Sequence, residues 1–517
     1  MLVVNKERIH TVDADSLRLI RALHGYLPIL MEKHQTPGLN IAVADKGRLV
    51  WEAAYGLADI ARGVAMTPDN LFYSGSLAKT YVATAIMMLV DRGVLALADP
   101  INRYLPFEVL NPLGPCDITV RDLMTHTSGL SADNAASSWE PGHSLAEELA
   151  AEYAREWSPM YGGKAIKRWI NPVGMAWVYS NLGVATLGLV VEVANPDGLS
   201  FSEFIQREIM DPLGMTHSCY PPAQHPRFVT PQLWSQTACG YSRMGGADIP
   251  TIPVYFHEYP AGGALSRPAD HIRLLLAMMN EGELDGFRLL APETAAAMLS
   301  PATEFGQLTS PLGHPIGEQG LIWRLLDRGQ LWASFDHAGG HMFGWRTQGR
   351  AWPHCKAAVV VAANQWNLPE DTREAEEVGE FVGSWVRYRQ VTELSNIAAT
   401  QLSYVRGVLL AAAYRVVFGI EGAVSRETFE TLTEQTRDRH GDWDAVAFRR
   451  GFEAVMALPA TVQAVQQFWR SDKCEVAPGG VHAAFAALGG REVTGFLWDL
   501  LPERPAANEV VNATKQR

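Results

Sequence analysis

The chain has 517 residues, of which 47% are hydrophobic and 19% charged, with a formal net charge of −13. That length exceeds one ordinary domain and supplies ample apolar material for a core, so two or more modules are expected. The acidic balance opposes any role built on neutralising phosphates, and no nucleic acid is expected as a partner. Five cysteines (Cys116, Cys219, Cys239, Cys355 and Cys474) are scattered without CxxC spacing. Such usage fits reduced thiols rather than a disulfide framework or a zinc site. The opening residues lack the long apolar stretch of a secretory signal. The apolar run Val408 to Ile420 is too short to span a bilayer and is broken by Arg415. A cytoplasmic location is therefore expected.

Taken in chain order, Asp15 to Lys33 reads as a helix and Gly38 to Ala44 as a buried strand. Asp45-Lys46-Gly47 turns the chain into a return strand, Leu49 to Tyr55, giving a hairpin. Ser76 to Arg92 is helical and apolar on nearly every side, ended by Gly93, and such a helix belongs in an interior. A long, mostly helical and loop-rich middle follows. Strands return at Leu321 to Leu326, Leu331 to Phe335 and Ala357 to Ala363, and a helix runs from Arg373 to Tyr388. This order predicts an α/β (α+β) fold: one antiparallel sheet completed by both ends of a domain over 1–392 and flanked by helices. A mostly helical subdomain is inserted over about 77–308. Residues 393–517 read as a separate helical accessory module, with Ser425, Glu427 and Glu430 marking one helix start. Its apolar segments Val408 to Ala413 and Phe452 to Leu458 need a surface to bury, and Trp469 and Trp498 fit either packing, which is favoured, or a substrate-facing lid.

Three short motifs carry chemistry. Ser76-Leu77-Ala78-Lys79 places a hydroxyl and an amine on one helix face, one turn apart, at a helix N-terminus that offers free N–H groups. A lysine among apolar neighbours has its charged form disfavoured and can act as a base. Alone, the spacing is also that of a chance surface pair. Tyr179-Ser180-Asn181 supplies a phenol able to relay a proton and an amide able to hold lysine and substrate, or merely a turn before a helix. His337-Ala338-Gly339-Gly340 reads as the end of one strand and the start of the next, where glycines admit a substrate to the backbone. The alternative is an ordinary Gly-Gly bend. His337 and His341 as a metal pair are disfavoured, because the intervening glycines oppose the helix that such spacing wants and no carboxylates accompany them. No metal or cofactor is expected.

In this order the three motifs resemble those of the serine β-lactamase and penicillin-binding-protein superfamily, on its class C β-lactamase, D-aminopeptidase and esterase side. The likeness extends to Thr67-Pro68-Asp69-Asn70-Leu71-Phe72 before Gly75-Ser76, to Leu97-Ala98-Asp99-Pro100 and to Tyr104-Leu105-Pro106. It also takes in Ile118 to Leu130, Pro212-Leu213-Gly214-Met215 and Pro260-Ala261-Gly262-Gly263, and covers roughly residues 15–390. The resemblance implies Ser76 as nucleophile, with Lys79 and Tyr179 sharing general base and acid duty and Asn181 holding Lys79 and the substrate. It implies that His337 hydrogen-bonds toward Tyr179 and that the N–H groups of Ser76 and Gly340, beside Gly339, form an oxyanion hole. Thr125-His126-Thr127-Ser128-Gly129 is by the same likeness a fixed turn rather than a site.

One departure bears on substrate. β-Lactamases of this branch carry a lysine where His337 stands, and His is found among similar D-aminopeptidases, amidases and esterases. The expected reaction is acyl-enzyme hydrolysis of an ester or amide in a small molecule or short peptide, with an esterase favoured. A D-aminopeptidase or D-amino acid amidase, a weak β-lactamase and an acylated sensor without turnover are the alternatives. The C-terminal module would narrow substrate access or join subunits into a homo-oligomer.

Overall fold

The computed structural model describes residues 4–132, 137–138, 143–159, 165–221, 230–244, 247–251, 255–306, 308–309, 315–330, 332–341, 344–367, 374–394, 399–412, 429–430, 444–459 and 462–469. Ser425, Glu427, Cys474, Trp498 and residues 413–420 lie outside them. The chain forms two compact units. One comprises residues 1–12, 27–328 and 333–379, the other residues 13–26, 329–332 and 380–517.

The first unit is built on a ten-stranded sheet. Its strands are β1 (Val4–Ile9), β2 (Gly38–Asp45), β3 (Arg48–Asp59), β4 (Leu308–Thr309), β5 (Pro315–Gln319), β6 (Arg324–Leu326), β7 (Ser334–His341), β8 (Trp345–Trp352) and β9 (Ala357–Ala363), with Val64–Ala65 pairing β3 at one side. Their order is β1-β3-β2-β9-β8-β7-β6-β5-β4 and the neighbours run antiparallel. The hairpin β2–β3 turns on Lys46 and Gly47, at φ 51° and 77°, the paired left-handed conformation of a tight two-residue turn. Register Leu39↔Ala363 to Ala44↔Ala358 then zips this hairpin onto β9. The two ends of the unit thus complete one sheet, as the distribution of strand patterns predicts.

Two expected boundaries move. Ile322 adopts φ 71° and bends the chain, so pairing begins at Arg324 rather than Leu321. The strand expected to end at Phe335 instead starts at Ser334 and continues to His341, while Leu331 lies outside the described residues. His337 to Gly340 therefore lie within one strand, not at a bend between two.

The helices of the first unit include α2 (Lys79–Asp91), α3 (Asn181–Ala194) and α4 (Pro268–Met279); α1 (Ala14–His34) and α5 (Glu374–Leu394) contribute residues to both units. Every residue of α2 from Lys79 to Leu89 is buried, as expected of a helix apolar all round. Gly93, at φ 67°, closes it, and the Val94 N–H reaches back to Leu89 O at 2.9 Å. Helix α4 packs on β2, β8 and β9, and α2 packs on α3.

In the second unit, α6 (Ala399–Ala412) packs on α7 (Ala445–Met456), and α8 (Val462–Trp469) follows. Among the described residues no helix is long and apolar enough to cross a membrane.

Candidate active site

Ser76 lies in a 3-10 turn, Gly75–Ala78, that runs directly into α2. The hydroxyl is half-buried, whereas Lys79, one turn on, is fully buried. Lys79 Nζ donates to Asn181 Oδ1 at 2.7 Å and to the Ala261 carbonyl at 2.8 Å, and lies 3.0 Å from Ser76 Oγ. The amide and carbonyl oxygens only accept, so they take two amine protons whether the group is charged or neutral. The third direction faces a hydroxyl that can either donate or accept. One geometry thus accommodates an ammonium donating to Ser76 and a neutral amine whose lone pair faces the Ser76 proton.

Tyr179 and Asn181 are placed together by the residue between them. Ser180 is the N-cap of α3, its Oγ accepting the Gly183 N–H at 3.2 Å. The cap holds Tyr179 just outside the helix and Asn181 on its first turn. Lys79 Nζ lies 5.0 Å from the centre of the Tyr179 ring.

The third motif approaches from the sheet. Along β7, His337 and Gly339 are buried while Ala338 and Gly340 are partly open, the alternation a strand imposes. A Cβ on Gly339 would stand 2.0 Å from Ser74 O, so only glycine lets the strand lie against the nucleophile turn. Gly75 matches it: at φ 52°, its own Cβ would meet the Gly340 backbone at 2.8 Å. Thr347 Oγ1 on β8 ties the same turn down by donating to Ser74 O at 2.7 Å. Two glycine-lined backbones in contact bring the Ser76 and Gly340 peptides to one place.

His337 is buried and neutral. Burial, then the charges of Arg324 and Lys79, hold its pKa well below the usual imidazole range. Arg324 donates to the Asp336 carboxylate through Nε and Nη2, at 2.7 and 2.9 Å. His337 Nδ1 donates to Ala338 O at 2.7 Å, which leaves Nε2 as an acceptor, and its ring centre lies 6.5 Å from that of Tyr179.

Ser76, Lys79, Tyr179, Asn181, His337, Gly339 and Gly340 therefore come from four separate elements to one cluster. Three neighbours were not assigned to it from sequence. Ala261 acts through its backbone carbonyl, which no side-chain pattern reports, although the Pro260-Ala261-Gly262-Gly263 run marks the segment. The Trp366 ring covers Gly340. His126, read as part of a fixed turn, is buried with its ring centre 4.6 Å from that of Tyr179.

An antiparallel sheet with a serine and a buried lysine one turn apart at the head of an internal helix defines the class of penicillin-binding-protein and β-lactamase folds. The family model described as Beta-lactamase matches residues 24–382, and the chain belongs to that family. Penicillin-binding protein 4 of Amycolatopsis lactamdurans is 30% identical over 277 residues, spanning 52% of this chain and 66% of that protein. Esterase EstB of Burkholderia gladioli is 28% identical over 334 residues, spanning 58% of this chain and 82% of the esterase. Among solved structures, the octameric penicillin-binding protein homologue from Pyrococcus abyssi superposes with a TM-score of 0.57 at 20% identity, covering 73% of this chain and 82% of its own. A class C β-lactamase from Rhodobacter sphaeroides gives 0.51 at 22% identity, covering 69% and 96%. At these identities the structural likeness shows the fold alone.

Proposed function

We propose that the chain is a serine hydrolase that forms an acyl-enzyme at Ser76 and hydrolyses an ester or amide of a small molecule or short peptide, with esters preferred. The observation that carries this is the fully buried Lys79 amine, held by Asn181 and Ala261 with its remaining direction on Ser76 Oγ. In this reading Lys79 takes the Ser76 proton as the hydroxyl attacks, and Tyr179 passes it to the leaving group. The N–H groups of Ser76 and Gly340 receive the oxyanion, and Asn181 also orients the substrate.

The preference for esters rests on His337. A buried neutral imidazole supplies no fixed cation for a substrate carboxylate, which the lysine of related β-lactamases would. The 82% coverage of an esterase supports the same choice. A fluorophosphonate should label Ser76, located by peptide mapping; labelling elsewhere, or none, overturns the assignment. A panel of p-nitrophenyl esters, D-amino acid amides and nitrocefin tests the substrate class, and nitrocefin turnover far above any ester would reverse it. Steady turnover, rather than one burst, separates an enzyme from an acylated sensor. The helices beyond residue 393 are read as an accessory domain that joins subunits, which light scattering on the intact chain tests.

A further inference from the structure

We propose that His126 is a positioning residue for the acylation step, holding the main chain before and after Tyr179, at Val178 and Ser180, so that the phenol and Asn181 are set against Lys79. This rests on the Ser76 hydrolase reading above.

His126 is a non-glycine residue at φ 58°, a left-handed conformation that is unfavourable for such a residue and persists only where surroundings impose it. The surroundings are explicit. Thr125 Oγ1 donates to Arg121 O at 2.8 Å, and the Thr127 N–H donates to Asp122 O at 2.8 Å. The loop is thereby pinned to the short helix Val120–Met124, itself started by a reciprocal Thr119–Asp122 capping box.

From that position His126 engages residues 178 to 180 three times. Its carbonyl accepts the Val178 N–H at 2.8 Å, its Nδ1 accepts the Ser180 N–H at 3.3 Å, and its ring lies on the Tyr179 ring at a 38° tilt. Trp177 adds an edge contact, its ring centre 6.0 Å from the imidazole. Because Nδ1 accepts, the ring is the neutral tautomer with its proton on Nε2. Burial and then the Lys79 charge keep it neutral, lowering its pKa to about 3. A neutral ring adds no positive charge beside Lys79. Since Ser180 also caps α3, the bond to His126 bears on Asn181 as well, and through it on the Lys79 amine. Both partners of Lys79 in the proton path thus depend on one imidazole.

The test compares His126→Ala, His126→Asn and His126→Phe in the full chain, using p-nitrophenyl butyrate hydrolysis with active sites titrated by fluorophosphonate. Loss of the clamp should lower kcat per titrated site in His126→Ala about 10- to 100-fold, with KM within about twofold, the scale of a small misplacement of a catalytic group. Asparagine tolerates the left-handed conformation and offers an oxygen near the Nδ1 position. It should recover activity to within about threefold of the wild type. Phenylalanine keeps a ring but no acceptor and should behave like alanine. A purely structural residue would lower the melting temperature and the number of titrated sites while leaving kcat per site unchanged, and that result overturns the proposal. If His126→Ala does not fold, the remaining pair decides: asparagine no better than phenylalanine overturns it. Absence of labelling at Ser76 in the wild type instead defeats the hydrolase reading. Normal labelling with indifferent His126 variants defeats only this inference.

Discussion

Helix α2 and the pair α6–α7 are built on opposite plans. Helix α2 is buried all round, and the Lys79 amine at its head meets side-chain and backbone oxygens from separate elements. Helix α7 is two-faced: Ala447, Phe448, Gly451, Phe452 and Val455 are buried, whereas Val446, Arg449, Arg450 and Glu453 are exposed. Its contact with α6 is apolar and close. A Cβ on Gly407 would stand 2.0 Å from Phe448 O, and one on Gly451 would stand 2.1 Å from Tyr404 O. Around α2, polar groups are buried at a cost that only complete hydrogen bonding offsets, and such groups can be aimed. Between α6 and α7 the burial is non-directional. The first plan suits aimed chemistry, the second close packing of one helix on another.

The sharpest break between the plans is Ser76→Ala. It should lower ester hydrolysis on the order of 10⁴-fold or more, abolish fluorophosphonate labelling and leave the melting temperature nearly unchanged. Residual labelling of that variant would place the nucleophile elsewhere.

Next in size are the proton-handling residues. Lys79→Ala and Tyr179→Phe should each slow acylation about 10²- to 10⁴-fold. The double variant should lose less than the product of the two, because one path is interrupted twice. Lys79→Ala should also destabilise the fold, by roughly 1–3 kcal/mol for each buried acceptor left without its donor, here Asn181 Oδ1 and Ala261 O. Multiplicative losses in burst kinetics, or an unshifted denaturation midpoint for Lys79→Ala, would contradict the shared path and the saturated amine respectively.

How much of this was legible in the sequence follows from how local each feature is. Ser76 and Lys79 are joined by helix geometry, so their spacing alone sets them on one face. Tyr179, Asn181 and His337 are distant in sequence and were assigned through family resemblance. The hairpin at Lys46-Gly47 was legible because its turn is a two-residue event. The strand through His337 is hidden in the sequence because Gly339 and Gly340 imitate a turn, when they instead allow backbone contact with Ser74 and cover by Trp366. His126 and the Ala261 carbonyl went unassigned because a buried imidazole and a main-chain oxygen have no signature outside tertiary context.

Acid should distinguish the catalytic unit through its buried histidines. Burial lowers His126 and His271 to about 3, and His337 well below the usual 6.5. The unfolded chain therefore binds more protons between about pH 3 and 6.5, and the stability these groups contribute is fully present above 6.5 and lost as pH falls. Glu374, lifted by burial from 4.5 to about 7, runs the other way and offsets one of the three over part of that range. The net is about two protons, or on the order of 3 kcal/mol per pH unit near pH 5. Denaturant melts from pH 7 to 4 should show this slope, and a flat profile would mean that these imidazoles are charged in the folded protein.

The smallest expected effect on chemistry comes from Gly407→Ala. The added methyl must enter space held by Phe448 O at 2.0 Å and Phe452 N at 2.8 Å, both main-chain atoms that cannot rotate aside. The helices must separate, at about 1–3 kcal/mol for overpacking, partly offset by the better helix propensity of alanine. Part of the contact among Phe429, Phe448 and Phe452, whose ring centres are 5.1 to 6.3 Å apart, should loosen with it. Glu453→Ala, on the exposed face of α7, is the control and should change stability by less than about 0.5 kcal/mol. If the second plan serves association, Gly407→Ala should shift the melting temperature or the subunit number. Acylation of Ser76 per titrated site should stay within about twofold of the wild type. A loss of acylation comparable to that of Tyr179→Phe would show instead that the α6–α7 pair sets the geometry of the Ser76 cluster, and the division between aimed and non-directional burial would not hold for this chain.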